Sequence, residues 1–151
     1  MPQNVSKLWI TRIFLASIGV LYLYLAIWCS VRPESTSKLV GFDLHPGSGQ
    51  SEFLTVYGGL EFGMGLFFLL PLIRPASTRD SLLCCLLIHA GLVAFRSAGF
   101  LLYSNIQPMT WKLAAGEWVI FLLSLCVYVM VLSAQKSRPD RAIASSGSSG
   151  V

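Results

Sequence analysis

The chain has 151 residues, of which 54% are hydrophobic and 12% are charged, with a net charge of +4 and a mean hydropathy of +0.67. Because about a quarter of the residues in soluble domains are charged, this composition excludes an ordinary soluble domain and indicates a membrane protein. The basic residues stand singly or in pairs at the ends of apolar runs. No basic patch indicates nucleic acid as a partner.

Four apolar runs follow one another along the chain. The first, from Ile13 to Val31, contains no charged residue. The other three, residues 53–73, 82–103 and 111–133, share five charged or histidine residues: Glu61, His89, Arg96, Lys112 and Glu117. A helix of about 20 apolar residues crosses the roughly 30 Å of bilayer hydrocarbon. These runs predict an all-α, integral membrane four-helix bundle with up-down topology, surrounded by the lipid bilayer.

Lys and Arg are distributed unequally between the two sides of this predicted bundle. Seven lie at the termini and between the second and third spans: Lys7, Arg12, Arg74, Arg79, Lys136, Arg138 and Arg141. Three lie on the other side: Arg32, Lys38 and Lys112. Because positive charges accumulate on the cytoplasmic side, we expect both termini in the cytoplasm and the protein in a bacterial inner membrane.

The chain is predicted to form one four-span domain over residues 1–135, followed by a disordered polar tail over residues 136–151 that is rich in Ser and Gly. The loop between the first two spans has room for a short amphipathic helix around Ser35 to Val40, which Pro33 could begin and Gly41 could end. Such a helix would lie on the membrane surface or fold over the mouth of the bundle. A plain connecting loop is equally compatible with the sequence.

Glu61, Arg96 and Glu117 come from three different spans and are predicted to lie at one depth. At about 1.5 Å per helical residue, they lie about 12, 10 and 9 Å from the outer ends of their apolar runs. An isolated charge in hydrocarbon costs several kcal/mol and is normally paired, and a guanidinium has donors for two carboxylates. We therefore predict that Arg96 bridges Glu61 and Glu117. A proton on one carboxylate, or a bound cation, would balance the remaining negative charge.

Helical phase extends this cluster along three spans. The predicted ligand-binding or structural polar cluster consists of Tyr57, Gly58, Glu61, Arg96, Glu117, His89 and Tyr103. Further polar side chains could complete its lining: Ser17 and Tyr24 on the first span, and Ser124 and Tyr128 on the fourth. His89 either relays a proton or, as a lone intramembrane histidine does more often, hydrogen-bonds a neighbouring backbone or hydroxyl group.

The glycines of the second span form a separate feature. Gly59 and Gly63 are four residues apart and lie almost opposite Glu61 on the helix, which gives a small-xxx-small face for close helix contact. Together with Gly65, they are predicted to serve helix packing. The face would contact another span of the same bundle or, alternatively, form a homodimer.

The sequence indicates no catalytic residue, metal site or cofactor. Nucleophile and phosphate-loop motifs are absent, and a single histidine within the spans does not supply paired axial ligands for haem. Four cysteines lie inside the spans, where the thiol behaves as a small apolar group: Cys29, Cys84, Cys85 and Cys126. They are therefore predicted to be structural.

Four short motifs carry a family resemblance: "GFDL" in the first loop, "VYGGLEFGMG" in the second span, "FRSAGFL" in the third and "GEWV" in the fourth. With these motifs, the chain resembles an uncharacterised bacterial family of small four-helix membrane proteins, domain of unknown function 4345, over residues 13–133. More distantly it is similar to DoxX-like small membrane proteins. The resemblance implies fold and membrane location, and it marks Tyr57, Gly58, Gly59, Gly65, Arg96 and Glu117.

Three classes of function remain open from the sequence. The first is binding or carrying a small amphipathic or anionic molecule, or a lipid, in the polar pocket. The second is a non-catalytic accessory or scaffold subunit of a larger membrane complex. The third is an intramembrane enzyme that uses the carboxylates as acid and base.

Overall fold

The structure is a computed structural model that describes residues 2–136 and the side chains of residues 6–133, and it contains helices and no strand in that part of the chain. The helices are α1 (Pro2–Val31), α2 (Pro33–Leu39), α3 (Ser48–Phe53), α4 (Glu61–Ile73), α5 (Thr78–Leu102) and α6 (Pro108–Lys136). A π-helical segment, Leu54–Leu60, joins α3 to α4, and a 3-10 turn, Pro75–Ser77, precedes α5.

Four helical stretches are long and apolar enough to cross a membrane: Ser6–Val31, Ser48–Ile73, Pro75–Leu102 and Pro108–Ser133. The prediction of an all-α protein with four membrane-capable helices is confirmed. Large apolar side chains cover their outer surfaces, with Phe95 84% and Leu101 88% exposed, as suits contact with lipid rather than water. The tail predicted from residue 136 onward lies, apart from Lys136, outside the described residues.

The predicted short helix in the first loop is present as α2. Pro33 is its first residue, where the missing N–H of proline costs no helical hydrogen bond. Gly41, at a φ of +85°, follows the end of the helix and takes a backbone conformation that residues with a Cβ rarely adopt. Thr36 and Ser37 are buried, and α2 contacts α1. The segment is therefore folded against the bundle, and the plain loop is excluded.

Packing divides the bundle into two closely associated helix pairs. The second span packs most extensively against α1, and α5 packs most extensively against α6. The pairs meet in one buried apolar core, formed by Leu15, Ile18 and Tyr22 of α1, Phe68 of α4, and Leu82 and Cys85 of α5. The fourth span is the least buried of the four. Arg96 of α5 and Glu117 of α6 therefore lie close to each other, and both side chains are partly exposed.

Candidate functional site

Arg96 and Glu117 form a two-pronged ion pair between α5 and α6. Arg96 Nε donates to Glu117 Oε2 at 2.5 Å, and Arg96 Nη2 donates to Glu117 Oε1 at 2.6 Å. The side chains are 27% and 14% exposed, respectively. This forked geometry uses both carboxylate oxygens and is specific to arginine, because the ammonium group of lysine offers no parallel pair of donors.

Glu61 does not join this pair, so the predicted bridge from Arg96 to two carboxylates is only half present. In the described part of the chain, Glu61 makes no ion pair, and its Oε2 atom is buried without a hydrogen-bond partner. The reason lies in the packing: the second span associates mainly with α1, whereas Arg96 is directed to its own neighbour, α6. Depth along the helix axis was therefore not sufficient to predict the contact.

The face of the second span that carries Gly58 and Gly65 packs against α1. A Cβ built on Gly65 would lie 3.0 Å from the Gly19 carbonyl oxygen, and one built on Gly19 would lie 2.9 Å from the Gly65 carbonyl oxygen. A Cβ on Gly58 would lie 2.6 Å from Ser30 Oγ. The two helices thus touch backbone to backbone, as small residues allow. Of the predicted packing glycines, Gly65 makes close contact with a neighbouring span.

Gly59 and Gly63 lie on the opposite face, which is exposed. A Cβ built on either residue would meet no atom within 4 Å. The predicted contact of these two glycines with another span is therefore wrong for this chain. Glycines on both faces of this helix permit close approach of another helix. The face that contacts α1 is the one that contains Gly65.

His89 is fully buried and hydrogen-bonded at both ring nitrogens. Its Nδ1 lies 2.8 Å from the Cys85 carbonyl oxygen, which can only accept, so Nδ1 carries a proton and donates. Its Nε2 lies 3.2 Å from the Tyr22 hydroxyl, which donates to it when the imidazole is neutral. Of the two predicted roles, the hydrogen-bonded structural histidine matches this geometry.

Tyr57 lies within electrostatic range of both Glu61 and Arg96. Its ring stacks on Phe53 with centroids 4.5 Å apart and meets the edge of Phe42 at 6.0 Å. These aromatic contacts hold the Tyr57 side chain at the place where the π-helical segment lies next to the first loop. Tyr57 therefore lies close to both parts of the predicted cluster, although the two parts do not touch each other.

An open groove of about 480 Å³ runs along α5 beside the ion pair. Arg96 contributes to its wall, together with Phe95, Gly99 and Tyr103. The groove is open at Gly99, where an added Cβ would meet no atom within 4 Å. Tyr103, which ends α5, is 69% exposed. The groove thus joins two of the predicted cluster residues, Arg96 and Tyr103, and does not include Glu61.

Sequence reasoning missed Tyr22 and chose the wrong face of the first span. Tyr24 is 60% exposed and stacks on Trp28, and Ser17 is exposed and donates to a carbonyl of its own helix. Tyr22 is the buried residue instead. The available signal was the spacing of Ile18, Tyr22 and Ala26, which repeats every four residues and marks one helical face.

The described residues contain no group of three or more His, Cys, Asp or Glu side chains that could hold a metal ion. The four cysteines are free thiols, and Cys85 lies in the core. Its Sγ is 3.7 Å from His89 Nδ1, a contact between two neighbouring positions on one helical face. The polar side chains of the described residues can therefore interact through hydrogen bonds and ion pairs.

Comparison with known protein families matches residues 10–128 to a family described as a domain of unknown function, DUF4345. No curated protein and no solved structure matches the chain. The more distant likeness to DoxX-like proteins has no support from these comparisons. The matched region includes Tyr57, Arg96 and Glu117, and it covers well over half of the sequence. On this evidence, the chain belongs to the family described as a domain of unknown function, DUF4345.

Proposed function

We propose that the protein binds or carries a small amphipathic or anionic molecule, with the polar head of the ligand at Arg96 and its apolar part along the groove of α5. One observation supports this proposal above the others. The guanidinium of Arg96 has five N–H donors, and the pair with Glu117 uses two of them. The unused donors belong to a side chain that lines an open, largely apolar groove.

The chemistry of the pair defines which head groups suit the groove. Glu117 balances the charge of Arg96, so the guanidinium can remain ionised in a poorly hydrated place without a bound anion. Its remaining N–H groups are suited to an acceptor such as a phosphate, carboxylate or carbonyl oxygen. In surroundings of low dielectric constant these hydrogen bonds are stronger than in water. The apolar walls beside them suit an acyl or alkyl chain.

The membrane location fits the same ligand class. We propose that the four helices form an up-down bundle in a bacterial inner membrane, with both termini in the cytoplasm. Arg96 then lies six residues from the end of α5, about 9 Å along the helix axis from the outer surface. That depth lies close to lipid head groups, and a ligand could enter the groove sideways from the bilayer.

Native mass spectrometry of the protein released from mild detergent tests this proposal. We expect a specific small molecule or lipid to remain bound to the wild type. Gly99→Leu should displace it by filling the groove, and Arg96→Gln should displace it by removing the donors. Gly116→Leu is the matched control, because Gly116 also has open space around it but does not line the groove. Repeated absence of a bound molecule, or equal retention by Gly99→Leu, would contradict the proposal.

The alternative is a non-catalytic accessory or scaffold subunit, and the exposed face of Gly59 and Gly63 favours it. This face could admit a second copy of the chain or a helix of a larger membrane complex. Gly63→Leu would then dissociate the assembly in detergent, as measured by light scattering. A monomeric wild type in several mild detergents and in lipid nanodiscs would exclude the homodimer.

A further inference from the structure

We propose that Glu61 is a proton-binding site inside the membrane: it carries a proton in the folded bundle and exchanges it through its unburied side. This inference is independent of ligand binding at Arg96, because Glu61 does not line the groove. It assigns a role to Glu61, the carboxylate of the predicted bridge that Arg96 does not bind. The ligand of this site is the proton itself.

The first argument is charge. Arg96 is the cation of the described spans closest to this level of the bundle, and both carboxylate oxygens of Glu117 already bind it. His89 does not supply a positive charge, because its Nδ1–H donates to a carbonyl and its Nε2 accepts from Tyr22 in the neutral form. An ionised Glu61 would therefore have no counter-charge among these neighbours.

The second argument is solvation. Glu61 Oε2 is buried and has no hydrogen-bond partner. Burying an unpartnered neutral polar group is costly, whereas burying an isolated ionised carboxylate costs far more, so that such a group takes up a proton instead. The difference decides the protonation state. When Glu61 carries a proton, it has only the smaller cost of burying a neutral polar group and avoids the larger cost of burying a charge.

The third argument concerns the groups that face Glu61. The ionisable side chains within electrostatic range are Tyr22 and Cys29 of α1 and Tyr57 of its own span. None of these is a cation, and Tyr22 already bonds His89. They cannot stabilise a carboxylate by charge. From α5 and α6, the Arg96 pair comes within range of Tyr57 but makes no contact with Glu61.

Access to the site follows from its place in the helix. Glu61 is only partly buried, and it is the first residue of α4, directly after the π-helical segment. Segments of π-helix occur frequently at functional sites, where they interrupt the regular hydrogen-bond ladder. The proton would enter and leave at this unburied side of the carboxyl group.

Labelling with a hydrophobic carbodiimide tests the proposal on the wild-type protein. In phosphatidylcholine vesicles, dicyclohexylcarbodiimide reacts with protonated carboxyl groups in apolar surroundings. The carboxyl O–H adds across one C=N bond, and the product rearranges to a stable N-acylurea with no leaving group. At about pH 6, we expect the Glu61 peptide to carry on the order of tenfold more label than the Glu117 peptide, and less as the pH rises.

Two controls accompany this measurement. Glu61→Gln should abolish the label, and the exposed Glu34 should react with a water-soluble carbodiimide instead. Equal labelling of Glu61 and Glu117 would show that reagent access, not a bound proton, sets the pattern, and would overturn the proposal. Absence of label at Glu61 in the folded protein would also overturn it, as would protection of Glu61 by sodium or potassium ions at constant pH. Because the main comparison is between two residues of the wild type, it does not depend on the folding of a variant.

Discussion

At the scale of single residues, two of the polar contacts between helices involve residues of the predicted cluster. The Arg96–Glu117 pair joins α5 to α6, and the Tyr22–His89 hydrogen bond joins α1 to α5. Both are contacts that a polar side chain must make once it is withdrawn from water. Each therefore contributes stability only while its partner is present, because removal of one member leaves the other desolvated and unpaired.

Arg96→Gln should lower the free energy of unfolding by about 2 kcal/mol, because it leaves the carboxylate of Glu117 without its counter-charge. Thermal unfolding in detergent measures the change. Arg79→Gln is the matched control, since Arg79 is exposed and its loss should matter little. Combining Arg96→Gln with Glu117→Gln should recover part of the loss, because no unpaired charge remains. Equal melting temperatures for the Arg96 and Arg79 variants would contradict a stabilising pair.

Tyr22→Phe should cost about 1–2 kcal/mol, because it removes the donor to His89 Nε2 inside a closed core. The exposed Tyr24 offers a matched control on the same helix, and Tyr24→Phe should change stability by less than about 0.5 kcal/mol. Chemical unfolding in mixed detergent micelles compares the two variants. If both variants lose the same stability, the hydroxyl of Tyr22 contributes nothing specific to the bundle.

At the scale of helices, the sequence predicted which residues of the second span share a face better than it predicted which helix each face contacts. Helical phase correctly separated Glu61 and Gly65 from Gly59 and Gly63. It could not show which face meets α1, because glycines on both faces permit close approach. That choice depends on the complementary residue, Gly19, on a different helix. Partner selection of this kind is a tertiary property that one helix alone does not encode.

The same limit, that one helix does not specify its neighbour, explains why the predicted bridge is only half present. Charge in an apolar run predicted that Arg96 would pair with Glu117, because an isolated charge inside hydrocarbon is costly. The length of each run also predicted the four helices. Depth and helical phase assigned Glu61 to the same cluster, but neither of them shows which helices are neighbours. The lateral arrangement, with the second span against α1, separates it from Arg96.

Gly65→Ala should destabilise the contact between the second span and α1 by about 1–3 kcal/mol, since the new methyl group would lie 2.8 Å from a carbon of Leu23 and 3.0 Å from a backbone oxygen. Gly63→Ala is the matched control two residues away. It meets open space, and the gain in helix propensity should leave stability unchanged or slightly higher. Unfolding measured by circular dichroism distinguishes them. A neutral Gly65→Ala would contradict the close approach of the two backbones.

At the scale of the whole molecule, the proposed orientation in the membrane would decide which side each site faces. In the proposed up-down topology, seven Lys and Arg residues lie on one side and three on the other, and the positive-inside tendency would place both termini in the cytoplasm. The connection between α5 and α6 then faces outward, and so does the Tyr103 end of the groove. A ligand for Arg96 would arrive from the outer leaflet.

Cysteine accessibility in intact cells tests this orientation, because a membrane-impermeant maleimide reaches only the outer surface. In a variant whose native cysteines are replaced by alanine, Ser104→Cys should react before permeabilisation, since Ser104 is exposed between α5 and α6. Ala76→Cys, in the exposed turn before α5, should react only afterwards. The reversed pattern would show that the bundle has the opposite orientation, with the Tyr103 end of the groove toward the cytoplasm. The ligand of Arg96 would then have to come from the inner leaflet.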